Sequence, residues 1–149
     1  MSAASFKITG FKDLDKAINK LPKELKRKAY RSVLSTGARI IAKNAKKHIH
    51  DDSGLLRKSI GIKVIYKNTD SPRAYIGSKT GETLTVDGRE KKATHYAKNV
   101  EQGTAHTAAK PFMRPAVDES RNDVMVKMTK GLTRFLARAA KKLETKGRY

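Results

Sequence analysis

The strongest limit on the fold of this chain is a long amphipathic stretch between Pro22 and Ile49. Apolar residues recur in it every three or four positions, which places them along one face of a helix. At 1.5 Å per residue such a helix is about 42 Å long, so its apolar face must be covered by the rest of the chain. Its other face carries one acid, Glu24, against a set of basic residues: Lys23, Lys26, Arg27, Lys28, Arg31, Arg39, Lys43, Lys46 and Lys47.

The composition narrows the class of protein. A length of 149 residues predicts a single domain, 1–149, with a core from about residue 6 to residue 143. The formal net charge of +20 favours a polyanionic neighbour, either nucleic acid or an acidic protein surface. The chain has no cysteine, and no apolar run approaches the roughly 20 residues of a membrane span. Its first residues lack the pattern of a secretory signal, so we expect synthesis in the cytoplasm.

Alternation of apolar and polar residues predicts the strands. Phe6–Thr9 has this pattern and ends at Gly10, and Phe11–Lys20 follows with helical spacing. Ile60–Tyr66 alternates again and predicts a half-buried strand, with Arg73–Gly77 as its partner across a turn. We therefore expect a β-hairpin packed on the apolar face of the long helix.

The second half of the chain predicts one more long helix. The polar segment 78–94 is interpreted as a mobile loop or a weakly formed second hairpin. Pro115–Leu143 has helical apolar spacing, and 145–149 is a flexible tail by its composition and position. The predicted class is α+β: a small antiparallel sheet packed against a long basic helix, with a second long helix at the C-terminal end.

Between the two helical patterns lies a segment rich in turn residues, 95–116. Pro111 and Pro115 each fix φ, which predicts an extended approach for residues 112–114 and a helix that starts at Pro115. Asp118 and Glu119 then fall in its first turn, where negative charge is favoured by the helix dipole. Gly103 is expected to supply a positive φ or a close backbone approach. The segment predicts a fixed corner that leads into a helix.

Reaction chemistry is disfavoured by the sequence. His48, His50, Asp51 and Asp52 are ligand-type residues, but two histidines two positions apart point to different sides of a helix. A charged histidine near the C-terminal end of a helix is the simpler interpretation.

A second grouping, His95 and His106 on either side of Glu101, formally allows a hydroxyl–histidine–acid arrangement. Both histidines stand beside turn residues, and no nucleophile elbow, phosphate loop or pair of carboxylates accompanies them. We predict no enzyme activity, no metal and no cofactor.

The basic face of the first long helix is the main candidate for a binding surface. Its excess of cations is larger than solubility requires. It suits contact with phosphates without sequence readout, or docking on an acidic partner, and the sequence does not decide between them. The candidate residues are Lys23, Lys26, Arg27, Arg31, Arg39, Lys43, Lys46 and Lys47.

Three motifs, in this order, carry a resemblance to a known family. They are Asp52-Ser-Gly-Leu-Leu-Arg-Lys-Ser-Ile60, Tyr96-Ala-Lys-Asn-Val-Glu-Gln-Gly-Thr104 and Lys110-Pro-Phe-Met-Arg-Pro-Ala116. With the helices around them, they make the chain from Phe6 to Leu143 similar to the tail-completion or neck proteins of long-tailed bacteriophages. This group is related to the minor tail protein Z of phage lambda. The polar segment 78–94 is longer and more charged than the pattern needs.

The resemblance implies a structural protein of the virion, made in the host cytoplasm, that completes the tail and joins it to the DNA-filled head. It implies a ring, commonly six-fold, with the tail terminator, tail tube or head-closure proteins as neighbours and DNA passing through. The alternative, argued from charge alone, is a free-standing nucleic-acid-binding protein without sequence specificity. The family's motif residues fall here on positions that we interpret as fold and interface positions: Gly54, Leu56, Ser59, Tyr96, Ala97, Val100, Glu101, Gly103, Thr104, Pro111, Phe112, Arg114, Pro115 and Ala116.

Overall fold

The fold is α+β, as predicted. The computed structural model describes residues 11–50, 54–66 and 72–146. These residues form five helices, two of them long, and four strands that pair into two hairpins. In chain order the elements are α1 (Phe11–Asn19), α2 (Lys23–His48), α3 (Leu55–Ser59), β1 (Ile60–Ile65), β2 (Arg73–Ser78), β3 (Thr83–Val86), β4 (Arg89–Lys92), α4 (Ala93–Gln102) and α5 (Met113–Lys146). The predicted strand Phe6–Thr9 lies outside the described residues.

The long helices α2 and α5 pack against each other in opposite directions. Near the middle of both helices Gly37 lies against Met128 and Val124. Asn44, near the C-terminal end of α2, donates its Nδ2 hydrogen to Ser120 Oγ, in the first part of α5, over 2.8 Å. Ser120 is fully buried and also donates to a carbonyl of its own helix, so this polar pair is satisfied inside the core. The apolar cluster here comprises Leu14, Ile18, Ala29, Val33, Ile41, Val124, Met128 and Leu132.

The hairpin β1–β2 covers the apolar side of α2, as the alternation predicted. The strands are antiparallel, with Ile60 opposite Ser78 and Ile65 opposite Arg73. Helix α3, immediately before β1, was not predicted, because five residues are too few to show a helical period.

The polar segment 78–94 contains a second hairpin, β3–β4, which confirms the second of the two interpretations. Asp87 and Gly88 make its two-residue turn, with φ of 53° and 71°. Positive φ at both positions matches the twist of the flanking strands. Leu84 anchors the hairpin and is buried, whereas all four residues of β4 are exposed.

Helix α5 begins two residues before its predicted start. Met113 and Arg114 are therefore helical rather than extended, and Pro115 stands in the first turn, where an N–H group has no intrahelical partner. Asp118 and Glu119 consequently lie in the second turn of the helix rather than in the first. The helix also includes Thr145 and Lys146, the first two residues of the predicted tail.

Candidate assembly interface

The three sequence motifs meet in one apolar cluster, which we call the motif core. Leu56 of the first motif, Ala97 of the second, and Phe112 and Ala116 of the third are buried there. They pack with Ala42, Ala45, Ile49 and Ile60, while Tyr96, Val100 and Met113 cover the edge. Since residues from four helices contribute, the motif core joins the C-terminal half of α2 to the start of α5.

Glu101 connects the second motif to the third through hydrogen bonds. Its carboxylate accepts the backbone N–H groups of Phe112 at 2.7 Å, Met113 at 2.9 Å and Arg114 at 3.3 Å. These N–H groups belong to Phe112, the residue before α5, and to the first two residues of the helix, and such groups have no intrahelical acceptors. A carboxylate at this end also interacts favourably with the helix dipole. Glu101 therefore determines where α5 begins, which is why the helix starts at Met113 and not at Pro115.

Gly103 reverses the chain after α4, as predicted. Its φ is 76°, and a Cβ atom at this position would lie 2.8 Å from the backbone nitrogen of Ala109. Both the positive φ and the close approach require glycine. The segment that follows, which we call the return loop (residues 104–110), folds back on α4. Lys110 donates its backbone N–H to the Val100 carbonyl oxygen over 2.8 Å, and Thr104 pairs with Thr107.

The first motif forms the turn and short helix between α2 and β1. Gly54 has φ of 66° and precedes α3, so it provides the left-handed residue of the turn before this helix. Ser59 is buried and donates its hydroxyl to the Leu56 carbonyl oxygen over 2.8 Å. Arg57 donates to the carbonyl oxygen of Ile49, directly after α2. The first motif therefore contributes to the fold by fixing the connection between α2 and β1.

Of the fourteen motif positions singled out above, three are exposed: Thr104, Pro111 and Arg114. They lie close to the α4–α5 junction, whereas the other eleven are buried or half-buried. The motif segments also expose further residues that are available for contact with another protein: Arg57, Lys58, Lys98, Asn99, Gln102 and Lys110.

The basic face of α2 divides into exposed and partly covered cations. Lys26, Arg27 and Lys46 are half-buried, and Arg27 lies 3.4 Å from Glu24. Arg31 is exposed, with its guanidinium 5.6 Å from the centre of the Tyr66 ring. The remaining candidates are exposed: Lys23, Arg39, Lys43 and Lys47. Among these, Arg39, Lys43 and Lys47 are four residues apart and form one row along the helix.

A second cationic surface was missed by the sequence analysis. A cleft of about 640 Å³ lies between β4, α4 and the return loop. Its lining includes Lys91, Lys92 and Lys110, the histidines His50 and His95, and a single acid, Glu90. The signal available in the sequence was the run Arg89–Lys92, which gave no indication that it faces residues near position 110.

The geometry provides no support for the hydroxyl–histidine–acid arrangement. The Glu101 carboxylate is occupied by three backbone N–H groups and does not orient a histidine. His95 stands within α4 rather than beside a turn, and His106 is an exposed residue of the return loop.

The His48–His50 grouping also has a simple structural interpretation. His48 lies in the last turn of α2, where a basic residue interacts favourably with the helix dipole. Its Nε2 atom lies 3.0 Å from Glu119 Oε2. Within residues 11–50, 54–66 and 72–146, no group of three or more histidine, aspartate or glutamate side chains is arranged to hold a metal ion. Asp51 and Asp52 lie outside these ranges.

Both the buried motif core and the exposed cationic surfaces are features of a structural and interaction domain. Residues 12–103 match the model of the family described as "Bacteriophage HK97-gp10, putative tail-component". This span is more than half of the 149 residues, and the chain belongs to this family. No curated protein and no solved structure matches the chain.

The family assigns the protein to the phage tail. It is a structural tail component, located in the virion, and it works among other tail proteins. None of the helices in the described part of the chain has the length and apolar character of a membrane span.

Proposed function

We propose that this protein completes the phage tail and joins it to the DNA-filled head, as a subunit of a ring at the neck. Family membership places it in the tail. The three motifs resemble those of tail-completion and neck proteins, the group related to the minor tail protein Z of phage lambda. The tail terminator, tail tube and head-closure proteins are the expected neighbours.

The observation that carries this proposal is the exposed row Arg39, Lys43 and Lys47 on α2. DNA that passes through a neck slides past the protein, so its contacts must be with phosphates rather than with base edges. Lysine and arginine side chains that project from one helix face suit this role, because each one that contacts a phosphate releases condensed counterions from the DNA.

A ring requires two different surfaces on each subunit that fit each other head to tail. Within the described residues, β1 and β2 form a two-stranded sheet, so one edge of each strand has no strand partner. Such edges can pair with a neighbouring subunit. Six copies are the expected number.

Both apolar clusters use α2 and both contact Ile76, which supports our proposal that 1–149 is a single domain.

Charge reversal of the exposed row tests the joining role. We expect phage with Arg39→Glu, Lys43→Glu and Lys47→Glu to accumulate separate filled heads and tails in electron micrographs. A matched control reverses Lys127, Lys130 and Arg134, three exposed residues of α5 that lie outside the three motifs and the strand edges. Normal joining by the α2 variant would contradict the proposal, and circular dichroism of both purified variants checks that they fold.

Binding of isolated protein to duplex DNA tests the nature of the contact. The affinity should be weak, independent of sequence and strongly dependent on salt, with each neutralised phosphate adding about −0.9 to the log–log slope. The α2 variant should lose this binding equally for all sequences. A preference of about a thousandfold for one sequence would instead indicate a specific DNA-binding protein.

A further inference from the structure

The cleft beside the return loop differs from the other cationic surfaces in shape and chemistry. Lys91, Lys92 and Lys110 are exposed at the cleft, while the half-buried residues Tyr96 and Val100 also line it. Lys91 Nζ lies 6.0 Å from the centre of the Tyr96 ring. Cationic groups beside aromatic and aliphatic surface provide contacts for a ligand that has both charged and apolar groups.

Contacts within the chain hold the wall of the cleft in place. The return loop is held to α4 by the Lys110 N–H bond to Val100, and the Thr104 N–H donates to the Thr107 carbonyl oxygen over 2.9 Å. The close approach of Gly103 to Ala109 fixes the same turn. A preformed wall lowers the entropic cost of binding, because the loop does not have to be ordered by the partner.

The size and the concave shape favour a peptide over duplex DNA. A volume of about 640 Å³ lies in the range of clefts that take small ligands or a few side chains. A DNA duplex is a broad rod whose backbone is best reached by cations that project from a surface, as they do on α2. We propose that this cleft binds an acidic segment of another tail protein.

A second copy of this chain is a poor source of that segment. The sequence has 14 acidic residues against 34 lysines and arginines. Several of the acids already have partners: Asp118 lies 2.8 Å from Arg121, Glu119 contacts His48, and Glu101 caps α5. The proposal requires only that the protein works among other tail proteins, so it stands independently of the ring and of the joining role.

The test uses a fluorescein-labelled octaglutamate peptide, with octaglutamine as the neutral control, in fluorescence anisotropy at about 150 mM salt. The cleft variant carries Lys91→Glu, Lys92→Glu and Lys110→Glu. A matched variant carries Lys127→Glu, Lys130→Glu and Arg134→Glu, three exposed residues of α5. We expect the cleft variant to lose about tenfold or more in affinity and the α5 variant about threefold or less, since both change the net charge equally.

A second variant separates shape from charge. Ala108→Trp adds bulk at an exposed residue that lines the cleft and leaves the charge unchanged. We expect it to weaken octaglutamate binding by about threefold or more, with circular dichroism like that of the wild type. Equal losses in the two charge-reversal variants, or full affinity with Ala108→Trp, would overturn the proposal. A DNA duplex that depends on the cleft lysines when octaglutamate does not would overturn it in favour of nucleic acid.

Discussion

At the scale of single residues, Glu101 explains more of the fold than any charge on the basic helix. Its carboxylate reaches from the end of α4 to three N–H groups at the start of α5, over a separation of 11 to 13 residues. The second and third motifs are therefore joined by a cap as well as by apolar contact. Most of the positions singled out in the three sequence motifs are residues that build this junction.

Loss of the Glu101 charge should destabilise the protein. Hydrogen bonds to a charged group contribute about 1.5–3 kcal/mol and neutral ones about half as much, so Glu101→Gln should lower the free energy of unfolding by about 1–2 kcal/mol. Urea unfolding measures this change. Glu90→Gln removes the same charge from an exposed position on β4 and should change stability by less than about 0.5 kcal/mol. Equal effects of the two substitutions would contradict the capping role.

Phe112 is the largest fully buried side chain described, at 2% exposure. Its removal in Phe112→Ala leaves a cavity in the motif core and should cost about 3 kcal/mol in the free energy of unfolding. Urea midpoints compared with those of Met113→Ala, at the half-buried edge of the same cluster, provide the control. A cost for Phe112→Ala below about 1 kcal/mol would be incompatible with this burial.

Tyr30 makes the free energy of unfolding depend on pH in the alkaline range. Burial, together with the 2.6 Å hydrogen bond that its hydroxyl donates to Asp15, raises the pKa of Tyr30 above its usual value near 10. The neutral phenol is favoured in the folded state, so this contribution is complete below about pH 10 and declines as the pH rises further. We expect wild-type protein to lose more stability than Tyr30→Phe between about pH 9 and pH 11 in urea unfolding. Parallel pH profiles would rule out this contribution.

At the scale of elements, the close contact of α2 with α5 depends on Gly37. A Cβ atom there would lie 2.7 Å from Met128 Sδ and 3.3 Å from Val124 Cγ1, both on buried side chains. Glycine is unfavourable inside a helix, and its presence here is explained by the packing of the two helices.

A large side chain at this position should separate the helices. We expect Gly37→Leu to lower the free energy of unfolding by about 1–3 kcal/mol, although leucine is the better helix former. Gly131→Ala is the control, because a Cβ there lies 4.0 Å from its nearest neighbour, Thr36 Oγ1. This control should stabilise α5 by up to about 1 kcal/mol. Thermal unfolding that ranks Gly37→Leu above wild type would contradict the close packing.

At the scale of the whole molecule, charge dominates the behaviour in solution. A net charge of +20 makes identical subunits repel one another, and acidic neighbours or DNA in the particle would relieve that repulsion. A ring in the virion is thus compatible with a monomer in isolation.

Light scattering at about 20 mM and about 500 mM salt should therefore show a monomer at low salt, with any self-association confined to high salt, where repulsion is screened. A stable dimer that is insensitive to salt would contradict this expectation. The row variant Arg39→Glu, Lys43→Glu and Lys47→Glu has a lower net charge and should associate at lower salt than the wild type.

The elements with strong local periodicity were predictable from the sequence. Helices α2 and α5 and the hairpin β1–β2 follow from spacings of three to four and of two residues, which are local properties of the chain. Gly103 was predicted correctly as a turn residue, because positive φ is a constraint on a single residue. The alternation at Ile60–Ile65 likewise identified the strand, although not the short helix before it.

The tertiary structure alone decided which residues meet. The sequence placed Glu101 in a motif but did not show that it caps α5. With this cap the helix begins at Met113, whereas the sequence predicted a start at Pro115. The lysines at positions 91 and 110 belong to segments that gave no sign of facing one cleft. Such contacts arise from the packing of α4 and the return loop against each other, and local spacing carries no information about them.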